Sequence, residues 1–275
     1  MKPHLIQKAS FFNINSPLLA FSKDIYSSGG EDGIIERIFQ LIQPEHNFCV
    51  EFGALDGKTM SNSCNLIESK GWCCLFIEAD ISKFDRLLAN YQNNSGVICL
   101  NEFVHFEGTN SLDNILQAHS VPYNFDLITI DIDGADYFIW ESLVSFRPKI
   151  VIIEFNPTIP NDMIFVQSRD IRVNQGSSLL ALILLGKRKG YELICCTGHN
   201  AIFCDNSLYS DFEIPSNLIW NMYKPAMDGR IFHGFDSTIH VHGMDYLMWS
   251  RIGLCNEDFQ IVPKSLRKLG GYPIS

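Results

Sequence analysis

The chain has 275 residues, of which 46% are hydrophobic and 19% are charged, and its formal net charge is −10 at pH 7. This length suits one large domain or one domain with an appendage, and the composition excludes a disordered chain. The acidic balance argues against non-specific binding to nucleic acid, so no nucleic-acid partner is expected.

The nine cysteines lie mostly inside apolar runs, and none forms a CxxC pair. This pattern favours reduced, buried thiols over a disulfide framework or a zinc site. The N-terminus lacks the apolar core and small-residue cleavage site of a signal peptide, and no segment approaches the roughly 18 consecutive apolar residues of a membrane span. We therefore expect a soluble cytoplasmic protein without a membrane partner; a homo-oligomer is left open.

The first 28 residues lack a clear hydrophobic period and predict an N-terminal arm. The segment "EDGIIERIFQLI" at 31–42 then places five aliphatic residues on one face, which predicts an amphipathic helix. Beyond it, five apolar runs alternate with helical patterns: "NFCVEFG", "WCCLFIEAD", "GVICLNEFV", "FDLITIDID" and "KIVIIEFNP". Near-continuous apolar strands are typical of a parallel sheet covered by helices on both faces, so the pattern predicts a doubly wound α/β sheet.

The pattern changes after the fifth run. "IPNDMIFVQSRDIRVNQG" is irregular and predicts a lid or substrate loop, and "SSLLALILLGKRKG" predicts an apolar helix. "YELICCT" and "AIFCDN", joined by three residues, predict a hairpin whose last strand enters the sheet antiparallel. We thus expect a Rossmann-like, mostly parallel, seven-stranded sheet with an antiparallel C-terminal hairpin. The predicted units are an arm at 1–28, a cofactor-binding domain at 29–206 and a C-terminal cap at 207–275.

Polar side chains stand at the carboxyl ends of all five predicted parallel strands. Ligands of open α/β sheets bind beyond these ends, so the side chains are candidate site residues. They are Glu51 on the first strand, Glu78 on the second, Asn101 with Glu102 on the third, Asp131 with Asp133 on the fourth, and Glu154 with Asn156 on the fifth.

The turn after the first strand carries Gly53 and Gly57, which allow the backbone to approach a ligand closely. Glu78 follows Glu51 at the position from which a carboxylate reaches the ribose hydroxyls of a nucleotide. Both features fit NAD(P) or S-adenosylmethionine. Two features favour S-adenosylmethionine: Leu55 stands where a dinucleotide turn has its central glycine, and the sheet ends in a hairpin. The acidic turn favours it as well, because carboxylates repel a diphosphate and attract an ammonium group.

Several segments together resemble the FkbM-type family of S-adenosylmethionine-dependent methyltransferases, over roughly residues 26–206. They are "GGEDGIIERIF", "VEFGALDGKTMSN", "LFIEAD", "ITIDIDGADYFIWESL", "IVIIEFNP" and "GSSLLALILLGKRKGYELICCTGHNAIF". The family's Gly-Ala-x-x-Gly turn also lacks the central glycine. Asp136 departs from the pattern, since the family more often has glutamate there. Many members are O-methyltransferases of sugars or natural products, which implies a small-molecule or carbohydrate acceptor.

The resemblance also implies roles for individual residues. Those at the amino-acid end of the cofactor would be Glu51, Gly53, Ala54, Gly57 and Asn62. Those at its ribose and adenine would be Glu78, Ala79, Asn101, Glu102 and Phe103. Asp131 would lie near the methyl-bearing sulfonium.

The segment "DIDGAD" admits several interpretations. Asp131 and Asp133 could lie beside the transferred methyl group, with Asp133, Glu154 or His199 as the base that takes the acceptor's proton. With Glu154 and Asn156 they could instead bind a divalent metal through oxygen ligands. The D-x-D spacing also suits a metal-dependent glycosyltransferase, and Asp133 or Asp136 could simply cap the next helix.

The main hypothesis is an S-adenosylmethionine-dependent methyltransferase, with oxygen as the expected methyl acceptor. The alternatives are a metal-dependent glycosyltransferase that uses Asp131 and Asp133, and a non-catalytic binding module with a methyltransferase fold.

Overall fold

A computed structural model describes residues 16–225 and 229–268. Residues 1–15 of the predicted arm, and residues 226–228 and 269–275 of the predicted cap, lie outside the described part. The helices are α1 (Glu31–Leu41), α2 (Cys64–Lys70), α3 (Ile81–Tyr91), α4 (Leu112–Ala118), α5 (Asp136–Ser142), α6 (Leu179–Lys189) and α7 (Ile219–Met222). None of the helices within those described ranges is long and apolar enough to cross a membrane.

The strands confirm the predicted alternation. They are β1 (Phe48–Phe52), β2 (Cys73–Ile77), β3 (Val97–Leu100), β4 (Leu127–Ile130), β5 (Ile150–Glu154), β6 (Tyr191–Cys196), β7 (Asn200–Asp205), β8 (Arg230–His233) and β9 (Ile239–His242). The first seven form one sheet in the order β3-β2-β1-β4-β5-β7-β6. β1 to β5 pair in parallel, and β7 is antiparallel to both of its neighbours, as the hairpin predicted.

Two hydrophobic clusters cover the two faces of this sheet. α1, α2 and α3 pack on one face, where Ile34, Ile38 and Leu87 are fully buried. α4, α5 and α6 pack on the other, around the buried rings of Trp140 and Phe203, whose centroids lie 4.9 Å apart. Because both faces are covered, ligands reach the sheet only along its ends, and the carboxyl edge of the strands remains open.

The segment from residue 16 to α1 packs on the sheet domain. Ser16 Oγ donates to the carbonyl oxygen of Ile194 at 2.7 Å, and Leu18 is buried. The Asp32 carboxylate accepts three backbone N–H groups from residues 25–27. These contacts tie this part of the predicted arm to α1 and β6.

Residues 229–268 contain a separate two-stranded sheet, in which β8 and β9 pair antiparallel. Its side chains are mostly exposed, and the His240 ring stacks on Phe232 at 5.1 Å. The segment "HGFDSTIHVHGMD", which contains three histidines, lies here. No group of three or more metal-ligating side chains gathers in it within the described residues.

Candidate cofactor site

A cavity of about 520 Å³ lies along the carboxyl edge of the sheet. Most of the predicted site residues line it: Glu51, Gly53, Ala54, Asn62, Glu78, Ala79, Glu102, Phe103, Asp131, Asp133, Glu154 and His199. Gly57, Asn101 and Asn156 do not line this cavity. The topology therefore brings together side chains from five strand ends, as the parallel sheet predicted.

Glu51 is buried on β1, and its carboxylate is engaged within the protein. It accepts hydrogen bonds from Ser61 Oγ at 2.9 Å, from the Ser63 amide at 2.9 Å and from the Asn62 amide at 3.3 Å. Burial raises the pKa of Glu51 to about 7, although these bonds favour its charged form. The carboxylate thus fixes the turn that carries Asn62, in addition to facing the cavity.

The structure requires glycine at positions 53 and 57 for the packing of the protein, and not for the approach to a ligand that the sequence suggested. A Cβ at Gly53 would lie 1.8 Å from the carbonyl oxygen of Asp131, so glycine lets the backbones after β1 and β4 touch. A Cβ at Gly57 would lie 2.6 Å from Leu87 and from Tyr91, so this glycine makes room for α3. Both have positive φ, near 73°. Their first requirement is close packing of the protein, and Gly57 does not reach the cavity.

Glu78 follows β2 and is 5% exposed. Its Oε2 accepts the Leu55 amide and its Oε1 accepts the Asp80 amide, both at 2.8 Å. Asn101 donates to the carbonyl oxygens of Glu78 and Ala79, so it braces the strand end instead of facing the cavity. The Glu78 carboxylate is held at a fixed place on the cavity wall by two backbone donors.

Glu102 and Phe103 lie at the β3 end of the cavity. Phe103 is 48% exposed, and its ring lies 5.0 Å from that of His105. Glu102 accepts a hydrogen bond from Asn110 at 2.9 Å. Lys83, which the sequence did not single out, also lines the cavity and supplies a positive charge.

Three carboxylates meet where β4 and β5 end. Asp131, Asp133 and Glu154 each place one oxygen within 4.8 Å of the others. Burial, and then the neighbouring carboxylates, raise the pKa of Asp131 and of Glu154, while His199 opposes the rise for Asp131. Asp133 is exposed and has φ 59°, a left-handed conformation that aspartate tolerates better than most residues.

Asn156 and Asp136 make other contacts in the structure than the candidate roles suggested for them. Asn156 Oδ1 accepts from the backbone and hydroxyl of Thr158, at 3.0 and 2.6 Å, so it closes a turn and does not join the carboxylates. Asp136 is buried and accepts the Ile132 and Gly134 amides, both at 2.9 Å. Burial raises the pKa of Asp136 to about 7. These donors precede α5, so Asp136 shapes the turn that carries Asp133, and no side chain of the N-cap residue caps the helix.

Asn200, which sequence reasoning missed, begins β7 beside this group. It lies opposite Glu154 in the β5–β7 register and is 3% exposed. Its Nδ2 donates to Glu31 at 3.0 Å, while its Oδ1 has no hydrogen-bond partner within the described residues. Thr129 Oγ1 on β4 is likewise buried without a partner, and both residues line the cavity. Two buried oxygens in residues of the cavity wall therefore lack a hydrogen-bond partner within the described residues, which is uncommon for buried polar atoms.

A second cavity of about 730 Å³ adjoins the first. Its wall is largely apolar, and five of its residues are Phe155, Ile159, Met163, Phe165 and Trp249. Asp133, Glu154 and Asn174 line both cavities. Trp249 thus borders this cavity, whereas Tyr223 is buried against Phe155, with ring centroids 4.8 Å apart.

The irregular loop at 155–178 forms part of both cavity walls. Gln167, 3% exposed, holds its turn: Nε2 donates to the Val173 carbonyl at 2.6 Å, and Oε1 accepts the Gln175 and Gly176 amides at 3.0 Å each. Ile171 and Asn174 reach the first cavity from this turn. The buried amide of Gln167 thus holds the turn at 173–176 of this loop.

Comparison with known proteins finds only remote similarities in fold. No family model and no curated protein matches the chain. Among solved structures, the N-terminal domain of EvdMO1, with S-adenosylhomocysteine and D-fucose, is 9% identical with a TM-score of 0.42, covering 63% of this chain and 81% of that one. The citrinin polyketide synthase CMeT domain is 11% identical with a TM-score of 0.44, and the match covers 64% of this chain and 51% of that one. TrmK of M. capricolum, with S-adenosylhomocysteine, is 12% identical with a TM-score of 0.38, and the match covers 62% of this chain and 68% of that one.

These similarities are too weak to carry an argument about activity, and none of them assigns the chain to the FkbM-type family. The fold class rests on the sheet itself: seven strands in the order 3-2-1-4-5-7-6, with β7 antiparallel. The chain has a mixed α/β fold whose seven-stranded sheet is mostly parallel and ends in an antiparallel hairpin.

Proposed function

We propose that the protein is an S-adenosylmethionine-dependent methyltransferase acting on oxygen of a small-molecule or carbohydrate acceptor. The observation that carries the proposal is Glu78. It is a buried carboxylate at the end of β2, held by two backbone donors and turned to a cavity that also borders the glycine turn.

The residues along the cavity fit the cofactor. Each Glu78 oxygen accepts one N–H and keeps a lone pair for a ribose hydroxyl. The exposed ring of Phe103 offers a flat surface to an adenine. Thr129 Oγ1, buried and without a partner, and the Ala54–Asn62 turn stand farther along, where the amino-acid end would lie. When bound, S-adenosylmethionine supplies an electrophilic methyl group.

The junction of the two cavities is the proposed place of reaction. Methyl transfer needs the acceptor oxygen held in line at near-attack distance, and placement supplies much of the rate. An acceptor in the second cavity would present its hydroxyl to Asp133 and Glu154, which line both cavities. Asp131, Asp133, Glu154 and His199 are the candidates to accept the hydroxyl proton.

The surrounding segments complete this proposal. Trp249 brings the predicted cap, 207–275, to the wall of the second cavity, and the loop at 155–178 forms part of the wall of both cavities. The FkbM-type family, the three-part division of the chain and a cytoplasmic location remain predictions.

A metal-dependent glycosyltransferase is the second candidate, and one observation favours it: the Asp131 and Asp133 oxygens lie within 4.8 Å of each other. A diphosphate would, however, meet a cavity wall rich in carboxylates, with Lys83 as its one lysine or arginine among the described residues. Binding of a UDP-sugar that requires manganese would favour this candidate. A non-catalytic module would bind the cofactor and transfer nothing.

Titration calorimetry with S-adenosylhomocysteine tests the proposal. We expect micromolar binding, weakened at least about tenfold by Glu78→Ala, because hydrogen bonds to a charged group are lost. Glu107→Ala, at an exposed site outside the cavity, is the matched control and should bind like the wild type. Absence of binding to the intact protein would refute the proposal.

A further inference from the structure

The three carboxylates at the ends of β4 and β5 have the dimensions of an ion site. One oxygen from each of Asp131, Asp133 and Glu154 lies within 4.8 Å of the other two. Two oxygens on opposite sides of a divalent cation, at 2.1 to 2.4 Å from it, are about 4.2 to 4.8 Å apart. Three oxygens that lie within 4.8 Å of one another are at most about 2.8 Å from a common centre, so side-chain shifts of a few tenths of an ångström let all three contact one calcium-sized ion without a change of fold.

Asn200 supplies an independent observation. A carboxylate can only accept, so Glu31 fixes the direction of the Asn200 amide: Nδ2 faces Glu31, and the buried Oδ1 has no partner within the described residues. Thr197 Oγ1 also donates to the same Glu31 oxygen, at 2.6 Å, which holds that carboxylate in place. Asn200 is 97% buried, since 3% of its surface is exposed, and a buried amide oxygen is costly to leave unpaired.

Asn200 and Glu154 are close neighbours. They are directly opposite in the antiparallel β5–β7 pair, where Cβ atoms are typically about 4.5 to 5.5 Å apart. Both line the first cavity, together with Asp131 and Asp133. The Asn200 side chain, which carries the unpaired amide oxygen, thus lies beside Glu154 at the same edge of the sheet.

The negative charge of this group has no basic partner. Within the described residues, Asp131, Asp133 and Glu154 form no ion pair with lysine or arginine, and the imidazole of His199 is the nearest titratable nitrogen acting on Asp131. Several carboxylates crowded at a half-buried site favour a bound cation, because mutual repulsion is otherwise uncompensated.

We propose that Asp131, Asp133, Glu154 and Asn200 Oδ1 bind a divalent cation at the junction of the two cavities. All four donors are hard oxygens and none is a thiolate, which selects Mg²⁺, Mn²⁺ or Ca²⁺ over zinc. Asn200 takes the place that the sequence assigned to Asn156. An ion here would lie on the wall common to both cavities, where an acceptor oxygen could complete its coordination. The site stands on these residues alone and does not depend on the identity of the cofactor.

Titration calorimetry of the chelator-treated, full-length protein with MgCl₂, MnCl₂ and CaCl₂ tests this site. At least one of the three ions should bind at a single site with millimolar or better affinity. Asn200→Ala and Asp133→Asn should each weaken it at least about tenfold. Asn156→Ala is the matched control: it removes the same side chain at the end of the neighbouring strand, and its affinity should stay within about twofold of the wild type.

Each outcome decides the matter. Absence of divalent binding to the wild type at millimolar ion concentrations overturns the site. If Asn156→Ala loses as much ion affinity as Asn200→Ala, or if Asn200→Ala loses none, the assignment of Asn200 as a ligand is overturned. If thermal unfolding shows that Asn200→Ala does not fold, the comparison of Asp133→Asn with Asn156→Ala carries the test, because Asp133 is exposed. S-adenosylhomocysteine titrated in the presence of EDTA reports separately on the proposed methyltransferase.

Discussion

Replacing Glu51 by glutamine should make the protein more stable at neutral pH and not at acidic pH. Burial raises the pKa of Glu51 from an ordinary value of 4.5 to about 7. Between these values the folded protein holds a proton that the unfolded chain releases, so the free energy of unfolding falls as the pH rises through this window. Below the window the carboxyl is neutral in both states and the burial penalty is absent.

The size of the effect follows from the shift. At 1.36 kcal/mol per pH unit, ionising Glu51 in the folded state costs about 3 kcal/mol once the pH is above 7. A glutamine can place its Oε1 where Oε2 accepts from Ser61 and Ser63, and loses the longer bond from the Asn62 amide. That loss costs about 1 kcal/mol at every pH. Glu51→Gln should therefore be about 1 kcal/mol less stable than the wild type at pH 4.5 and about 2 kcal/mol more stable at pH 8.

Urea unfolding of both proteins between pH 4.5 and 8, followed by circular dichroism, measures this difference. Comparing the two proteins at each pH cancels the titration of groups elsewhere. Glu107→Gln is the control, since that side chain is exposed, and its curve should run parallel to that of the wild type. If the free energy of unfolding of Glu51→Gln also changes with pH in parallel with that of the wild type, burial does not raise the pKa of the Glu51 carboxyl, and the prediction is refuted.

Two further predictions concern the chain segments around the cavity. Gly53→Ala should destabilise the protein by more than about 3 kcal/mol, since its Cβ would meet a backbone oxygen at 1.8 Å. Gly71→Ala, also at positive φ but with nothing within 4 Å, should cost about 1 kcal/mol; similar urea midpoints for the two variants would contradict this. Gln167→Ala should cost about 2 to 4 kcal/mol and speed amide exchange at Gln175 and Gly176, because their N–H groups lose the acceptor that the buried Gln167 supplies. Unchanged exchange there would show that the loop holds its fold without Gln167.

The elements of the sheet were predictable because their signals are local. Five near-continuous apolar runs and a three-residue hairpin connection were enough to predict β1 to β5 and the antiparallel β7. Polar residues directly after those runs then predicted the cavity edge, because parallel strands end on the same side. Glu78 is the clearest case, since its position after β2 alone placed it on the cavity wall.

The rest depends on contacts between distant residues. The direction of the Asn200 amide is set by Glu31, which is 169 residues away in the chain, and no local motif carries that information. Gly57 was given a role toward a ligand because its spacing matched a nucleotide turn, whereas its need for glycine comes from the packing of α3. Asn156 was assigned to the metal ligands by its position, but a neighbouring threonine uses its oxygen.

The place of β7 between β5 and β6 has a consequence for how the chain folds. The β6–β7 hairpin is closed by only three residues and can form from local contacts, whereas the pairing of β7 with β5 must close the whole segment 155–199. Glu154 and Asn200 face each other only after that docking. The junction of the two cavities is therefore absent from any partly folded chain in which the hairpin has formed but not docked, and a nascent chain gains it only when the sheet is complete.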